Sequence, residues 1–365
     1  MLAVEFRGVS KVYHRQPVLQ GVSLSIEAST FAVIFGTPSC GKSVLVRLLA
    51  GLEPPTEGQV FLRGADVTHQ QPGERNIGYI PQSFALYPHY KVYDNIAYSL
   101  KLRRVPHSDI RPIVERTAEM LRITPLLSKT PDQLSGGEKQ RVAIARGIVK
   151  DTDIFVLDDP LTGLDFKLRE QLFDDLKQMQ ESLGATFVYT TSDPLEALML
   201  AEKIALLDGG RVIEAGSLEE VYAAPQHLRT MTLLGTPQAS LFPGHLAATG
   251  GKTLCRTELF EFPVELNGNA PATDEVTVAV RPQDIRFATN GGDGLLTQQA
   301  QIMLREDLGG ELVVHLEARG VTLVSVVSHD DAHMLAEDQV TIGVPPQALV
   351  LYAPQDGRRV GQGAE

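Results

Sequence analysis

Hydrophobic and polar positions follow two different periods along this chain. Short apolar runs such as "FAVIFG" and "IFVLDD" predict buried β-strands, whereas "SVLVRLLAGL" has the spacing of an amphipathic helix. Strands and helices alternate through the first part of the chain, and residues from about 88 to 150 are mostly helical in pattern. This alternation predicts an α/β fold with a mostly parallel sheet.

The pattern changes after about residue 235, where helical periodicity becomes weak. Short β-like runs follow at regular spacing: "EFPVEL", "EVTVAVR", "QAQIMLRED", "ELVVHLEA", "VTLVSVVS", "QVTIGVP" and "ALVLYAP". Such spacing predicts a small all-β barrel or sandwich. We therefore predict two domains, 1–235 and 236–365, with a helical subdomain over about 88–150. The terminal "GRRVGQGAE" is expected to fray.

Composition and charge exclude several classes of protein. The 365 residues carry a formal net charge of −12, which argues against a nucleic-acid partner because such binders show a basic footprint. Cys40 and Cys255 are the only cysteines, so no disulfide framework or zinc spacing exists and a reducing cytoplasm is expected. No run reaches about 18 apolar residues, so we expect any membrane role to act through a partner.

The segment "GTPSCGKS" matches the phosphate-loop pattern G-x-x-x-x-G-K-[ST], and it lies between a predicted strand and a predicted helix. Backbone N–H groups of such a loop surround phosphates, with Lys42 reaching the β- and γ-phosphates and Ser43 binding Mg²⁺. The alternative is a flexible glycine-rich turn. The candidate nucleotide-binding residues are Gly36, Thr37, Pro38, Ser39, Cys40, Gly41, Lys42 and Ser43.

A second buried strand ends in two acids, Asp158 and Asp159. Ligands of open α/β sheets bind at the carboxyl ends of strands, so Asp158 fits the acid that holds Mg²⁺ in phosphate-loop nucleotidases. An ordinary acid at a strand end is the alternative interpretation.

The segment "LSGGEKQRVAIARGIV" places a Ser-Gly-Gly turn at the start of an amphipathic helix. Ser135 and Glu138 have the spacing of a capping box, and Gly136 and Gly137 lie between them. The helix start is a second candidate anion site, because a capped N-terminus still leaves free N–H groups. A capped helix without a ligand is equally compatible with this pattern.

These segments, in this order, resemble the nucleotide-binding subunit of ATP-binding-cassette (ABC) transporters over roughly residues 1–235. "LSGGEKQR" is similar to the signature of that family, and "IGYIPQSFALYPHYKVYDNIAYSLKLR" resembles the ATPases of carbohydrate importers. "VAVRPQDI" and "REDLGGELVVHLEARG" look like the C-terminal oligonucleotide-fold-like (TOBE) regulatory domain of that subgroup. The resemblance implies a phosphate-loop NTPase core, a helical subdomain and a small C-terminal β-barrel.

The resemblance also implies roles for further residues. Tyr13 would stack on adenine, although a half-buried strand tyrosine is the alternative, and Gln82 would contact Mg²⁺ and the attacking water. The signature residues Ser135, Gly136, Gly137 and Glu138 would contact a nucleotide held by the other subunit of a dimer. Asp165 would lie in the loop that joins the two sites. Residues around 83–105, with Gln82, would form the groove for a transport subunit.

Three departures from the family pattern fall on one half-site. The glutamate that polarises water is replaced by Asp159, which is shorter by about 1.5 Å of reach. The histidine that contacts the γ-phosphate is replaced by Ser192, whose hydroxyl cannot carry positive charge. Pro38 and Ser39 stand where relatives place serine and glycine, and proline removes a donor from the loop. We therefore expect a catalytically degenerate half-site beside an intact signature.

The resemblance implies an ATPase subunit that uses ATP and Mg²⁺ and lies peripherally at the cytoplasmic face of the cell membrane. Its implied partners are two transmembrane permease subunits, a second ATPase subunit and, indirectly, a solute-binding protein. We favour a heterodimer with an intact ATPase in an importer for carbohydrate or polyol. A homodimeric slow ATPase and a non-transport, ATP-gated regulatory protein remain alternatives.

Overall fold

The computed structural model describes residues 1–164, 166–250, 252–268, 273–287, 294–330, 335 and 337–364. The chain divides into two compact units, Met1–Leu218 and Glu219–Glu365. The domain boundary inferred at residue 235 stays a prediction.

The first unit contains two sheets. Its strands are β1 (Leu2–Tyr13), β2 (Gln16–Glu27), β3 (Phe31–Phe35), β4 (Glu57–Leu62), β5 (Ala65–Asp66), β6 (Gly78–Ile80), β7 (Ile154–Asp158), β8 (Thr186–Thr191), β9 (Lys203–Asp208) and β10 (Arg211–Ser217). An antiparallel sheet has the order β2-β1-β4-β5. Along β2 buried and exposed positions alternate, because one face of this sheet covers the core.

The second sheet of this unit has the order β10-β9-β3-β8-β7-β6, and its pairs are parallel except for β9 with β10. Strands β3, β7 and β8 are buried along their whole length. Burial on both faces explains why their sequences are apolar runs rather than alternating ones. Their carboxyl ends share one edge of the sheet, which is where open α/β sheets bind ligands.

Helices follow the strands as the alternation predicts. They are α1 (Lys42–Ala50), α2 (Val92–Leu102), α3 (His107–Met120), α4 (Gly136–Ile148), α5 (Phe166–Leu183), α6 (Pro194–Leu200), α7 (Leu218–Ala223) and α8 (Leu228–Leu233). Pro106 is the N-cap of α3, where the fixed φ of proline is tolerated. No helix in the described part of the chain is long and apolar enough to cross a membrane.

A buried arginine closes the C-terminal end of α1. Arg75 is 2% exposed, and it donates hydrogen bonds to the carbonyl oxygens of Leu48 at 2.8 Å and Leu49 at 2.9 Å. The last carbonyl groups of a helix have no partner within the helix, so this guanidinium satisfies groups that burial would otherwise leave unpaired. The contact anchors the helix that begins at the phosphate loop.

The second unit is built almost entirely from strands. They are β11 (Ser240–Thr249), β12 (Lys252–Thr257), β13 (Glu261–Leu266), β14 (Glu275–Val280), β15 (Arg286–Phe287), β16 (Leu296–Asp307), β17 (Glu311–Ala318), β18 (Val321–Ser328), β19 (Gln339–Val344), β20 (Val350–Tyr352) and β21 (Arg359–Gly363). A closed barrel has the order β11-β12-β13-β21-β20-β14, and a five-stranded sheet has the order β15-β19-β16-β17-β18. The predicted fold class, an α/β core followed by a small β-barrel, is confirmed.

The prediction that the C-terminal segment frays is wrong. Strand β21 pairs with β13 on one side and with β20 on the other, so it completes the barrel. At Gly363 a Cβ atom would come within 2.0 Å of the Pro346 carbonyl oxygen. The glycine that made this segment look disordered is the residue that allows its close packing.

Candidate functional site

The phosphate loop, Gly36–Ser43, connects the end of β3 to the start of α1. A Cβ atom on Gly36 would lie 2.1 Å from the Leu207 carbonyl oxygen, so only glycine fits at this position. Gly41 is the N-cap of α1 and has φ of 110°, which again favours glycine. The loop therefore presents the N-terminus of a helix, whose first N–H groups have no partner within the helix.

The two residues that depart from the family pattern in this loop, Pro38 and Ser39, both affect its backbone. Ser39 has φ of 65°, in the left-handed region that costs a non-glycine residue about 1–2 kcal/mol. The preceding residue, Pro38, has no N–H to offer to a phosphate. The loop thus retains its shape with one backbone donor fewer than the general pattern supplies.

Lys42 is 7% exposed and its ammonium group lies inside the loop. Its Nζ donates to the carbonyl oxygens of Gly36 at 2.8 Å and Thr37 at 3.0 Å. The third contact, with Cys40 Sγ at 4.0 Å, involves a weak acceptor. An ammonium has three hydrogens, so one remains for a stronger acceptor such as a phosphate oxygen.

Asp158 ends β7 and lies beside the start of α1. Its Oδ1 accepts hydrogen bonds from Ser43 Oγ at 2.8 Å and Thr190 Oγ1 at 3.0 Å. Its Oδ2 accepts a bond from the Tyr79 hydroxyl at 3.3 Å. The two residues that the sequence pairs as magnesium ligands, Ser43 and Asp158, are therefore in contact although 115 positions separate them.

A Mg²⁺ ion fits the chemistry of this corner. Ser43 and Asp158 offer oxygen atoms at a helix N-terminus, and Mg²⁺ prefers oxygen ligands that it shares with substrate phosphates. Among the described residues there is no cluster of three or more histidine, cysteine or acidic side chains that could hold a metal without a substrate. The corner is suited to a metal that arrives with phosphate groups.

Asp159 leaves the strand in an unusual conformation. Its φ is 46°, and its N–H donates to the Thr190 carbonyl oxygen at 3.1 Å and to Thr190 Oγ1 at 2.9 Å. The Asp159 carboxylate accepts a long hydrogen bond of 3.4 Å from Gln82 Nε2. Gln82 therefore contacts Asp159, and among the described contacts it forms no hydrogen bond with Asp158.

Ser192 follows the last residue of β8 and is half-buried at the same edge of the sheet. The next residue, Asp193, caps α6 through the Leu195 N–H at 2.8 Å and forms an ion pair of 2.5 Å with Arg169. These two contacts of Asp193 fix the backbone directly after Ser192. Asp165, predicted to join two sites in a dimer, lies outside the described residues.

Tyr13 is the last residue of β1 and belongs to a charged cluster that the sequence did not suggest. Its hydroxyl donates to Glu53, and the Lys11 ammonium lies 5.0 Å from the centre of its ring. Glu53 forms an ion pair of 2.9 Å with Arg47, without the angular geometry of a hydrogen bond. Burial, followed by Glu53, raises the pKa of Tyr13, so the phenol keeps its proton. These contacts hold the ring at the strand end.

The signature segment starts α4 with the predicted capping box. Ser135 Oγ accepts from the Glu138 N–H at 3.3 Å, and the Glu138 carboxylate accepts from the Ser135 N–H at 2.7 Å. That backbone bond lowers the pKa of Glu138. A Cβ atom on Gly137 would meet Leu168 at 1.8 Å, whereas Gly136 has open space around it. Within the described part of the chain, no hydrogen bond or ion pair joins this segment to its own phosphate loop.

A groove of about 710 Å³ is lined by the end of α2, by α3, by residues 148–152 and by the end of α5. It has apolar walls, including Leu100 and Val105, and three cationic residues, Arg103, Arg116 and Lys150, against one acid, Asp151. Burial and the neighbouring Arg103 lower the pKa of Lys150. The groove is a basic, partly apolar surface on a chain whose net charge is −12.

Comparison with known proteins agrees with this arrangement. Residues 19–162 match the model of the ABC transporter family, and residues 278–351 match the TOBE domain. The chain is 36% identical to an sn-glycerol-3-phosphate import ATP-binding protein of Chromohalobacter salexigens, over 93% of this chain and 90% of that protein. It is 34% identical to a maltose/maltodextrin import ATP-binding protein of Photorhabdus laumondii, over 98% and 97% of the two chains.

A solved structure extends the likeness to three dimensions. It is a dimeric ATP-binding cassette in a post-hydrolysis state bound to ADP and Pi. The TM-score is 0.54 at 29% identity, over 59% of this chain and 98% of that one. With its phosphate loop, strand-end aspartate and signature helix, the chain therefore belongs to the ATP-binding, ATP-hydrolysing subunits of ABC transporters that carry a TOBE domain.

Proposed function

We propose that this chain is the ATP-binding subunit of a membrane importer for a carbohydrate, a polyol or sn-glycerol 3-phosphate. The observation that carries the proposal is the contact of Ser43 with Asp158 at 2.8 Å, beside a loop that matches the phosphate-loop pattern. The names of two relatives that match along almost the whole chain point to import of sn-glycerol 3-phosphate and of maltose or maltodextrin. Solute choice in such a system would lie with its other subunits.

In this proposal different groups hold the different parts of ATP. The loop N–H groups and Lys42 bind the phosphates, which need positive charge and donors. Mg²⁺ would be bound through side-chain oxygen atoms of Ser43, Asp158 and Gln82. Tyr13, which is half-buried and packs against the core of the first unit, is proposed to stack on adenine with the exposed part of its ring.

Two cassettes would join head to tail, so that the signature of one closes the phosphate loop of the other. Ser135, Gly136, Gly137 and Glu138 supply a helix N-terminus that keeps free N–H groups after capping. The open space around Gly136 leaves room for a phosphate. The dimeric state of the related cassette bound to ADP and Pi supports this arrangement.

Gly136→Asp tests the shared site without disturbing the fold. The added side chain enters open space, unlike one at Gly137, and its negative charge would repel the γ-phosphate held by the other subunit. We expect ATP-dependent dimerisation to weaken at least about 10-fold, which is 1.4 kcal/mol. Sedimentation velocity with excess ATP and EDTA measures it.

Gly73→Asp is the matched control for this variant, because Gly73 is exposed and also has open space around it. Binding of ATP to monomeric Gly136→Asp should stay within about twofold of wild type, since its own loop is unchanged. Dimerisation equal to that of Gly73→Asp would contradict the shared-site proposal.

The half-site built on this chain's own loop is proposed to hydrolyse ATP slowly. Asp159 has a shorter reach than glutamate, Ser192 lacks an imidazole, and Pro38 offers no donor. The signature keeps its capping box, so the chain remains a suitable signature donor. We favour a heterodimer in which the second ATPase subunit carries the intact glutamate and histidine.

Two alternatives predict different behaviour of the purified chain. A homodimeric slow ATPase would hydrolyse ATP alone and support transport without a second cassette. A non-transport, ATP-gated regulatory protein would bind ATP but would not associate with membrane subunits. The acidic net charge of −12 argues against a nucleic-acid partner for any of the three.

Gln82 and residues around 83–105 are proposed to receive one permease subunit, and the groove shares Leu100, Arg103 and Val105 with that range. Its apolar walls and its cations Arg103, Arg116 and Lys150 suit an amphipathic segment that carries carboxylates. Two permease subunits would hold two cassettes at the cytoplasmic face of the cell membrane. A solute-binding protein would act on the cassettes only through the permeases.

Arg116→Glu tests the membrane role and the groove together. Arg116 is exposed and has no ion-pair partner among the described residues, so charge reversal should leave the fold intact. We expect the wild-type chain to co-purify with two polytopic membrane proteins in mild detergent, and the variant to retain about 10-fold less of them, because like charges would meet.

Arg111→Glu is the control, because Arg111 lies on the same helix with its side chain 76% exposed. It exchanges an exposed ion pair with Glu115 for two like charges at the helix surface, where water and salt screen both, so the fold should persist. If the wild-type chain retains no polytopic protein, the importer proposal fails. If Arg116→Glu and Arg111→Glu retain equal amounts, the groove assignment fails.

A further inference from the structure

Three hydroxyl groups contact the Asp158 carboxylate, and two of them come from outside the phosphate loop. Strand β7, which ends in Asp158, is flanked in the sheet by β8 on one side and β6 on the other. Thr190 of β8 is the register partner of Asp158, and Tyr79 of β6 is paired with Val156. Each neighbouring strand therefore contributes one hydroxyl donor to the same carboxylate.

Thr190 connects the two acids at the strand end. It is fully buried, donates to Asp158 Oδ1 at 3.0 Å and accepts the Asp159 N–H at 2.9 Å. Asp159 needs this support because its φ of 46° lies in the left-handed region. One hydroxyl thus orients the first carboxylate and stabilises the turn that directs the second.

Tyr79 supplies a directional donor to the other oxygen. Its ring packs against the hydrophobic core of the first unit, and its hydroxyl lies 3.3 Å from Asp158 Oδ2. A carboxylate oxygen accepts hydrogen bonds, so the phenol O–H is the donor in this contact.

The three bonds leave the carboxylate able to bind a metal. A carboxylate has about four lone-pair sites, and the described contacts place two hydroxyls on Oδ1 and one on Oδ2. One lone pair of Oδ2 therefore remains free for a metal ion. The hydrogen bond from Tyr79 to the other lone pair determines the direction in which it points. Groups that orient a ligating carboxylate in this way typically change metal affinity by about 10–100-fold when they are removed.

We propose that Tyr79 and Thr190 are positioning residues that orient Asp158 toward the magnesium ion of a bound nucleotide, with Thr190 also holding the turn at Asp159. The inference rests on the metal role of Asp158 in the proposed function. It extends that role to two residues that touch neither nucleotide nor metal. Their effect should appear only in the magnesium-dependent part of nucleotide affinity.

The test compares binding of a hydrolysis-resistant ATP analogue in MgCl₂ and in EDTA. Tyr79→Phe removes one hydroxyl and keeps the ring, and Thr190→Val removes the other while keeping the shape of the side chain. In each variant we expect the gain in affinity from Mg²⁺ to fall about 10-fold, while affinity in EDTA stays within about twofold. Thr190→Ser keeps the hydroxyl and should restore the wild-type ratio.

Asp158→Asn separates failure of this inference from failure of the proposed function. If Asp158→Asn abolishes the magnesium-dependent gain while Tyr79→Phe keeps it, the positioning role is overturned and the metal role stands. If Asp158→Asn keeps the gain, the metal role itself is overturned. An equal loss of affinity in MgCl₂ and EDTA would indicate a merely structural role, and Tyr79→Phe decides the matter should Thr190→Val fail to fold.

Discussion

Lys42→Ala is expected to weaken ATP binding by at least about 100-fold and to abolish ATP hydrolysis. The ammonium group lies within the loop and would give its remaining hydrogen to a phosphate oxygen, while its bonds to Gly36 and Thr37 hold the loop closed. Hydrogen bonds to charged groups contribute about 1.5–3 kcal/mol each, so losing the charge and its donors accounts for this factor. Isothermal titration calorimetry with Mg·ATP measures the affinity.

Lys252→Ala provides the control for this measurement, because Lys252 is an exposed lysine of β12 in the second unit. It removes one positive charge from the same acidic chain and should leave ATP affinity unchanged within about twofold, since Lys252 is no part of the phosphate loop and exposed charges are screened by salt. An unchanged affinity in Lys42→Ala would contradict the assignment of the loop as the nucleotide site.

Asp159→Glu is expected to raise the ATPase rate of this chain's own half-site about 10- to 100-fold. The added methylene extends the carboxylate by about 1.5 Å, and a misplacement of about 1 Å can cost about 100-fold in rate. Asp159 already directs its carboxylate toward Gln82, so the longer side chain would start from the same turn. Steady-state phosphate release by the purified chain, with and without a partner ATPase, measures the gain.

Asp159→Asn is the companion variant, because it keeps the size of the side chain and removes the base. If this half-site is slow, as proposed, Asp159→Asn should lower its ATPase rate only slightly. Robust hydrolysis by the lone wild-type chain that Asp159→Asn abolishes would show that aspartate is an adequate base here. In that case the homodimeric alternative would replace the heterodimer.

Local patterns predicted the parts of the site that lie within one segment. The phosphate loop and the capping box at Ser135 depend on a few consecutive residues, so the identities of those residues were sufficient to predict them. Strand β11 was not predicted, because Pro243 and Gly244 interrupt its pattern. In the barrel a Cβ atom on Gly244 would lie 2.9 Å from Cys255 Sγ, so the glycine serves close packing between strands.

Contacts between distant segments could not be predicted from local sequence patterns. Tyr79 and Thr190 are separated from Asp158 by 79 and 32 positions, and no local pattern relates either residue to Asp158. Their hydroxyls converge only because β6 and β8 pair with β7 in one particular register. Shifting either strand by one residue would turn these side chains to the opposite face of the sheet.

The sequence alone determined the order of strands and helices, the pattern of the phosphate loop, the capped helix at Ser135 and the identities of Asp159 and Ser192. These features follow from residue identity and from backbone preferences that act over a few positions. Only the tertiary structure decided which hydroxyls hold Asp158, that Ser39 and Asp159 adopt left-handed backbone, and that the last strand closes the barrel. The reason is physical: these arrangements depend on sheet register and close packing, which join residues from distant parts of the chain.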